Sequence, residues 1–182
     1  PRVLLDPNFR PDGLLVAEAE GALVGFVLGL TRQTPLFLQG LEPELGWITA
    51  FGVRPDRQRA GIGRQLFAAR LADFAAAGRS RVEIAPYTPN YFIPGVDVDA
   101  YAPAVHFLET SGWQTIATPI SMRAEVTGRQ IPAEVVAVEQ NMAATGIAVR
   151  PVTAADLSAL MPFIAETFGW DWYRFAQEYL LT

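Results

Sequence analysis

The sequence predicts a mixed α/β domain, in which strands and helices contribute to one core. Apolar strands alternate with helical segments over roughly the first 126 residues, an order that favours a mixed sheet over separate layers. One helix, from about residue 61 to residue 77, has its apolar residues three and four positions apart. The chain has 182 residues, of which 51% are hydrophobic, so it contains enough apolar material for such a core.

The strands are bounded by turn and loop signals. The first two form a β-hairpin whose turn contains Gly21. A loop rich in Pro, Gly and Gln follows, over residues 31–46. A second helix is expected over residues 101–110, and an irregular loop over 87–99 precedes it. The predicted strands, in chain order, cover residues 14–17, 22–28, 47–53, 82–85, 113–118 and 120–126.

The last part of the chain is predicted to contain a connector and a second unit. Residues 127–146 form the connector, with a short helix over 133–142. A strand over residues 147–152 follows. Thr153, with Asp156 three residues later, is typical of a helix cap. The two helices after this strand are predicted over residues 153–167 and 171–181.

Composition and charge exclude several classes of function. The net charge is −5 and no basic run occurs, which argues against nucleic acid as a partner. The chain has no cysteine and no lysine, so disulfides, thiolate nucleophiles and lysine Schiff bases are excluded. His106 is the only histidine, and we expect no metal site. No apolar stretch reaches the roughly 20 residues of a membrane span and no signal peptide is recognisable, so we expect a cytoplasmic protein without membrane association.

The segment from Trp47 to Leu66 carries the clearest functional pattern. A hydrophobic strand ends at Val53, and a polar bridge leads into Gly61-Ile62-Gly63 and then directly into the amphipathic helix. Glycines let the backbone approach a ligand without interference from Cβ. Because the turn lies at a helix N-terminus, its unpaired N–H groups and the helix dipole favour a phosphate or pyrophosphate. The alternative is a glycine-rich turn that only joins a strand to a helix.

This strand–turn–helix segment resembles the acyl-CoA site of the GNAT superfamily of N-acetyltransferases. The superfamily pattern is Gln or Arg-x-x-Gly-x-Gly or Ala after a Val-x-Pro strand end. Gln58, Gly61 and Gly63 match it, after Val53 and Pro55. The resemblance implies a GNAT-type fold, in which a mixed, mostly antiparallel twisted sheet is flanked by helices, and it implies acetyl-CoA as co-substrate.

The resemblance also implies which residues contact acetyl-CoA. It covers roughly residues 10–126, from the hairpin to the Glu109-x-x-Gly112-Trp113 ending of the later helix. In the superfamily, amides of the turn bind the CoA pyrophosphate, and the exposed strand backbone pairs with the pantetheine arm. The implied acetyl-CoA contacts are Phe51, Gly52, Val53, Gln58, Arg59, Ala60, Gly61, Ile62, Gly63 and Arg64.

The catalytic positions of the superfamily are not matched. Thr49 replaces the common strand glutamate, and Leu108 and Tyr101 replace the common helix tyrosine and asparagine. We name Tyr101 as the first candidate for the acid that protonates the departing thiolate, and Glu44 as a further acid or base candidate. His106 is expected at the surface or rim, and Asp99 is expected to cap the helix that begins near Tyr101. The other acid or base candidates are Glu83, Asp97 and Asp99.

We therefore predict an acyl-CoA-dependent N-acyltransferase that transfers acetyl from acetyl-CoA to a primary amine of a small molecule or peptide. The amine is expected to attack directly in a ternary complex, where positioning supplies much of the rate. The missing acid and base groups motivate an alternative, a catalytically degenerate CoA-binding or regulatory module. A structural half-domain that serves assembly is the second alternative.

The resemblance divides the chain into a core, a connector and a tail. Residues 1–126 are the acyl-CoA-binding core, and residues 147–182 resemble the strand, helix and helix that open a GNAT domain. Two arrangements are open: a piece of a tandem-GNAT protein cut within its second repeat, or a tail that completes the sheet in permuted order, within the chain or swapped in a homodimer. We favour the tandem fragment, and we expect the tail to be docked because its apolar surface is large.

Overall fold

A four-stranded sheet forms the centre of the chain. In this computed structural model, which describes residues 4–87, 95–120 and 122–180, the strands lie in the order β1–β2–β3–β4. The first three strands pair antiparallel and β4 pairs parallel to β3, so the expected mixed, mostly antiparallel sheet is confirmed. The strands are β1 (Leu14–Ala19), β2 (Ala22–Leu30), β3 (Leu45–Val53) and β4 (Arg81–Ile84).

Helices flank this sheet and continue beyond it. The helix predicted from residue 61 and the helix predicted from residue 101 are both present, within one residue of their expected starts. The connector helix and the two tail helices are present as well. The helices are α1 (Ile62–Ala76), α2 (Ala102–Thr110), α3 (Ala133–Ala144), α4 (Leu157–Phe168) and α5 (Trp170–Leu180).

Apolar side chains cover both faces of the sheet. On one face, Val27 and Ile48 pack against Phe67 and Phe74 of α1 and Leu108 of α2. The opposite face has its own buried cluster, in which the rings of Trp47 and Tyr87 lie edge to face, 5.4 Å apart. Burial of these two clusters fixes the sheet between its helices and the N-terminal segment, and it therefore fixes the edge of β3 described below.

Three predicted strands are absent from the described residues. Residues 113–118 and 147–152, and the described part of 120–126, have no strand partner. Their side chains are largely exposed; Met122 and Val149, for example, are 92% and 90% exposed. The predictions were wrong because runs of Ile, Val and Thr form a strand only where a neighbouring strand supplies hydrogen bonds and packing.

The tail helices pack on each other, and α5 lies beside a short helical turn at Phe37–Gln39. Their apolar contacts bury Met161 of α4 and Ala176 of α5. The predicted helix cap is confirmed, because the Thr153 N–H donates to the Asp156 carboxylate at 2.8 Å. Among the described residues, no helix combines the length and the apolar composition that a membrane crossing requires.

Candidate active site

The turn between β3 and α1 is held in a concave shape by its backbone. Arg59 has φ +63° and Gly61 has φ +83°, with Ala60 between them outside the left-handed region. Alternation of this kind directs successive N–H groups toward one point, which makes an anion-binding concavity. The side-chain amide of Gln58 donates to the carbonyl of Val53 at 3.1 Å and thereby ties the turn to the end of the strand.

The first turn of α1 faces the same concavity. Gly61 is the N-cap of α1. Its carbonyl accepts the first hydrogen bond of the helix, from the Gln65 N–H at 3.0 Å. The preceding N–H groups, including those of Ile62, Gly63 and Arg64, have no partner within the helix, as at any helix start. Their partial positive charge favours a phosphate at this position.

The strand that leads to the turn has one unpaired edge. The Arg54 N–H donates to the Val24 carbonyl at 2.8 Å, on the side of β2. Because hydrogen bonding alternates along an antiparallel pair, the backbone groups of Phe51 and Val53 point to the other side. There the ladder with β4 ends at the pair Ile48 and Ile84. The N–H groups of Phe51 and Val53 therefore have no β4 partner among the described residues.

A bulge in β3 turns the side chains beyond it. Leu28 pairs with Ala50 and Gly29 with Ile48, so Thr49 has no opposite residue. Ile48 and then Phe51 pack on the α1 side, whereas Ala50 packs on the opposite side. The bulge thus places Phe51 and Val53 on the face that carries the turn and α1.

A cavity of about 1000 Å³ joins the turn, the open edge of β3 and the face of α2. It is lined by nine of the ten implied acetyl-CoA contacts, and Ala60 is the exception. Its apolar wall includes Phe107, whose ring centroid lies 5.3 Å from that of Phe67. The nine lining residues from the implied set are Phe51, Gly52, Val53, Gln58, Arg59, Gly61, Ile62, Gly63 and Arg64.

Arginines supply positive charge at the end of this cavity next to the concave turn. Arg57 lines the cavity and pairs with Glu20 at 3.3 Å. Arg54 hydrogen-bonds Asp56 at 2.8 Å and holds the pKa of that carboxyl below its usual value. Arg59 and Arg64 also line the cavity, and neither makes an ion pair with a described residue. These two guanidinium groups are therefore the ones available to an anionic ligand.

The acid and base candidates are distributed unevenly around the cavity. Tyr101 lines it as the N-cap of α2 and is 58% exposed, so its phenol is accessible. His106 lines the cavity as well. Glu44 lies at the start of β3, at the opposite end of the strand from Val53, where its carbonyl accepts the Ser80 N–H at 2.9 Å. The structure thus brings Tyr101, but not Glu44, to the cavity.

The remaining carboxylates serve local structure. Glu83 pairs with Arg81 at 3.2 Å and does not line the cavity. Asp97, rather than Asp99, organises the approach to α2, since its carboxylate accepts the N–H groups of Asp99 and Ala100 at 3.0 and 2.9 Å. The expectation that Asp99 caps this helix is wrong, because the N-cap of α2 is Tyr101 and no side chain caps the helix.

The two positions that depart from the superfamily pattern differ in their surroundings. Thr49 lines the cavity, and its hydroxyl oxygen is buried without a hydrogen-bond partner among the described residues. Leu108 belongs to α2, and its side chain is buried in the core between this helix and the sheet. No described residue that lines the cavity carries a carboxylate. Within the described part of the chain, no cluster of His, Cys, Asp and Glu has the arrangement of a metal site.

Sequence reasoning did not identify the wall opposite the turn. This wall includes Phe107 and Thr110 of α2, together with Ile84 and Ala85 at the end of β4. Pro103, Phe107 and Thr110 are spaced by four and three residues, which places them on one face of a helix. This spacing does not show that the face borders a cavity. The irregular loop expected over residues 87–99 lies partly at residues 88–94, outside the described residues.

The chain is similar in sequence to known acetyltransferases. Residues 2–93 match the family model described as the acetyltransferase (GNAT) family. A mycothiol acetyltransferase from Streptomyces bingchenggensis is 33% identical over 120 residues, which cover 66% of this chain. The matched region is 33% of that relative, so the chain corresponds to about one third of its length.

Solved structures of low sequence identity are also similar. An aminoglycoside acetyltransferase from an uncultured soil metagenomic sample has 18% identity and a TM-score of 0.46, over 69% of this chain and 70% of that one. A ribosomal-protein-alanine N-acetyltransferase from Brucella melitensis has 20% identity and a TM-score of 0.43, over 68% and 76% of the two chains.

Proposed function

Because this chain belongs to the GNAT family of acetyltransferases, we propose that it transfers the acetyl group of acetyl-CoA to a primary amine. The observation that carries the proposal is the continuous cavity from the concave turn to the unpaired edge of β3. The name of its curated relative, a mycothiol acetyltransferase, supports the same class of reaction. We propose an amine of a small molecule or peptide as the acceptor.

The turn and the strand edge would bind different parts of acetyl-CoA. The amides of Gly61, Ile62 and Gly63 suit the pyrophosphate, and Arg59 and Arg64 add charge beside them. The N–H groups of Phe51 and Val53 suit the amide-rich pantetheine arm, because an extended chain can add to a free strand edge. The thioester would then lie beside the apolar part of the cavity wall that includes Phe107.

The reaction would proceed by direct attack in a ternary complex. The amine nitrogen forms a bond to the thioester carbonyl carbon, and a backbone N–H near Val53 stabilises the oxyanion that develops. The carbon–sulfur bond then breaks, and the proton lost by the amine ends on the CoA thiolate. Tyr101 is our candidate for the final donor of that proton; such a group contributes about 10²- to 10⁴-fold to the rate.

Acetyl-CoA should stabilise the folded chain. At 100 times its Kd, a ligand adds about 2.7 kcal/mol to the free energy of unfolding, which corresponds to a rise in Tm of roughly 5–10 °C for a chain of this size. Adenosine should give a much smaller shift, because the turn is proposed to bind pyrophosphate. Differential scanning fluorimetry measures both, and the absence of a shift at millimolar acetyl-CoA would contradict the proposal.

A second measurement separates an enzyme from a regulatory module. The described cavity wall carries no carboxylate, and this motivates the alternative that the chain binds CoA without catalysis. We expect free CoA to be released with time when the chain, acetyl-CoA and a panel of primary amines are combined. Binding of acetyl-CoA without release of CoA for any amine would support the regulatory module.

A further inference from the structure

The first residue after β4 has a strained backbone. Ala85 has φ +81°, in the left-handed region that residues with a Cβ rarely adopt. Pro86 follows it, and the residue before a proline normally prefers an extended conformation. Ala85 is buried and lines the cavity. Such a conformation persists only where the surrounding structure imposes it, and it is common at functional sites.

The constraint comes from Tyr87, two residues later. Its side chain is fully buried, and its hydroxyl donates to the Asp6 carboxylate at 2.9 Å. The side-chain amide of Asn8 donates to the same hydroxyl at 2.6 Å. The Tyr87 N–H also donates to the Ala85 carbonyl at 2.7 Å, which closes a tight turn around Pro86. We call Asp6, Asn8 and Tyr87 the tyrosine anchor.

The tyrosine anchor is itself rigidly supported. The Asn8 side-chain oxygen accepts the N–H groups of Gln33 and Thr34 at 2.6 and 2.7 Å. The Asn8 N–H donates to Asp6 at 2.7 Å. Burial raises the pKa of the Tyr87 phenol, which therefore keeps its proton and remains a donor. The anchor joins the N-terminal segment, the loop after β2 and the end of β4 in one buried network.

The network lies directly after β4, the strand that pairs with the edge of β3. The Ala85 N–H still donates to the Ile48 carbonyl at 3.0 Å, which continues the ladder by one bond. If β4 continued in the same direction, the residues after Ala85 would pair with β3 from Thr49 to Val53. They would then occupy the edge to which the pantetheine arm is assigned. The kink at Ala85 turns Pro86 and Tyr87 out of this pairing, because the Tyr87 N–H donates to the Ala85 carbonyl instead of to β3.

We propose that the tyrosine anchor holds β4 away from β3 through the strained Ala85, and thereby keeps the β3 edge open for the pantetheine arm. Tyr87 is thus a positioning residue for acetyl-CoA that does not itself line the cavity. This inference rests on the proposed function, because it concerns the same bound acetyl-CoA.

The test compares acetyl-CoA with ADP 3′-phosphate, the nucleotide part of CoA without the pantetheine arm. Tyr87→Phe removes the hydroxyl and leaves the ring in place. We expect calorimetry to show that acetyl-CoA binding is weakened by about tenfold or more. Loss of the Tyr87 hydrogen bonds would let β4 move toward the β3 edge that is proposed to bind the pantetheine arm. Binding of ADP 3′-phosphate should stay within about twofold of wild type, because the turn is unaffected. Tyr173→Phe on α5, a hydroxyl deletion outside the cavity, should leave both affinities unchanged.

A glycine at position 85 tests the strain independently. Ala85→Gly should raise Tm by about 2 °C or more, since glycine adopts positive φ without the cost that alanine bears. Ala85→Gly combined with Tyr87→Phe should recover most of the acetyl-CoA affinity, because the kink no longer needs the anchor.

The outcomes separate the two proposals. If wild type binds neither ligand, the proposed function fails. If wild type binds both ligands and Tyr87→Phe weakens both equally, or weakens neither, only the tyrosine anchor is refuted. A lower Tm for Ala85→Gly also refutes it, because Ala85 would then carry no strain; this measurement does not depend on the folding of Tyr87→Phe.

Discussion

Gly63 lies where the concave turn meets α1, and its missing side chain keeps that part of the cavity clear. A Cβ at this position would lie 3.8 Å from the Val53 side chain and 4.0 Å from the tip of the Phe107 ring. Both distances are ordinary van der Waals contacts, so a methyl group fits the folded chain. The two contacting side chains line the cavity, so any larger group would extend into the space assigned to the phosphates.

Gly63→Val should therefore abolish acetyl-CoA binding while the fold stays intact. The expected result is loss of the thermal shift with acetyl-CoA, together with an unchanged circular dichroism spectrum and a Tm within a few degrees of wild type. Ala72→Val, at an exposed position of the same helix, is the matched control for the helix propensity of valine. Equal loss of binding and of folded structure would show that Gly63 serves packing instead.

At the scale of elements, α1 approaches the sheet closely because β3 has a glycine beneath it. A Cβ on Gly46 would lie 2.8 Å from two carbons of the Phe74 ring, closer than real Cβ contacts allow. Phe74 is buried in the same core that carries Phe67. The position of α1, and with it the position of the turn at its N-terminus, therefore depends on this contact.

Gly46→Ala should destabilise the fold by overpacking. The expected loss is about 1–3 kcal/mol, measured by urea unfolding, because either the ring or the helix must move. Gly95→Ala is the control, since an added Cβ would meet no described residue within 4 Å apart from its chain neighbours. Phe74→Leu should restore part of the loss when combined with Gly46→Ala. Equal stability of Gly46→Ala and wild type would contradict the close packing of α1.

At the scale of the whole molecule, the chain exposes more surface than a compact monomer of its mass. The accessible area is 12961 Å², against about 8,700 Å² expected for a folded monomer of 19.9 kDa. Much of the exposed apolar surface belongs to residues that come after α2 in the chain. It includes the half-exposed rings of Phe163, Trp172 and Phe175. Surface of this kind usually contacts another protein surface. We propose that residues 147–182 belong to a second unit, in a tandem protein or in a homodimer with exchanged tails.

Deleting residues 147–182 should lower Tm or cause aggregation. The deletion removes α4 and α5, which pack on each other, and it removes the contact of α5 with the short helical turn at Phe37–Gln39. Thermal unfolding together with light scattering, on the full chain and on residues 1–146, provides the measurement. If residues 1–146 form a monomer of unchanged stability, the tail is an appendage and this proposal is wrong.

The sequence alone predicted those features that depend on neighbouring residues in the chain. The hairpin followed from a turn containing Gly21 between two apolar runs, and α1 followed from its apolar spacing. The turn residues from Gln58 to Gly63 followed from the motif. Local chemistry determines such features, because turns, caps and helix periodicity involve contacts only a few residues apart.

Only the tertiary structure decided which segments find a partner and what surrounds the cavity. The Ile- and Val-rich residues 147–152 resemble a strand in sequence, yet no strand of the described part of the chain lies beside them. Glu44 directly precedes β3, at the opposite end of that strand from the turn. Ala85 lines the cavity, and Tyr87, two residues later, is hydrogen-bonded to Asp6, 81 residues away in the chain. Strand pairing and buried polar networks depend on contacts between distant residues, which no local pattern in a sequence specifies.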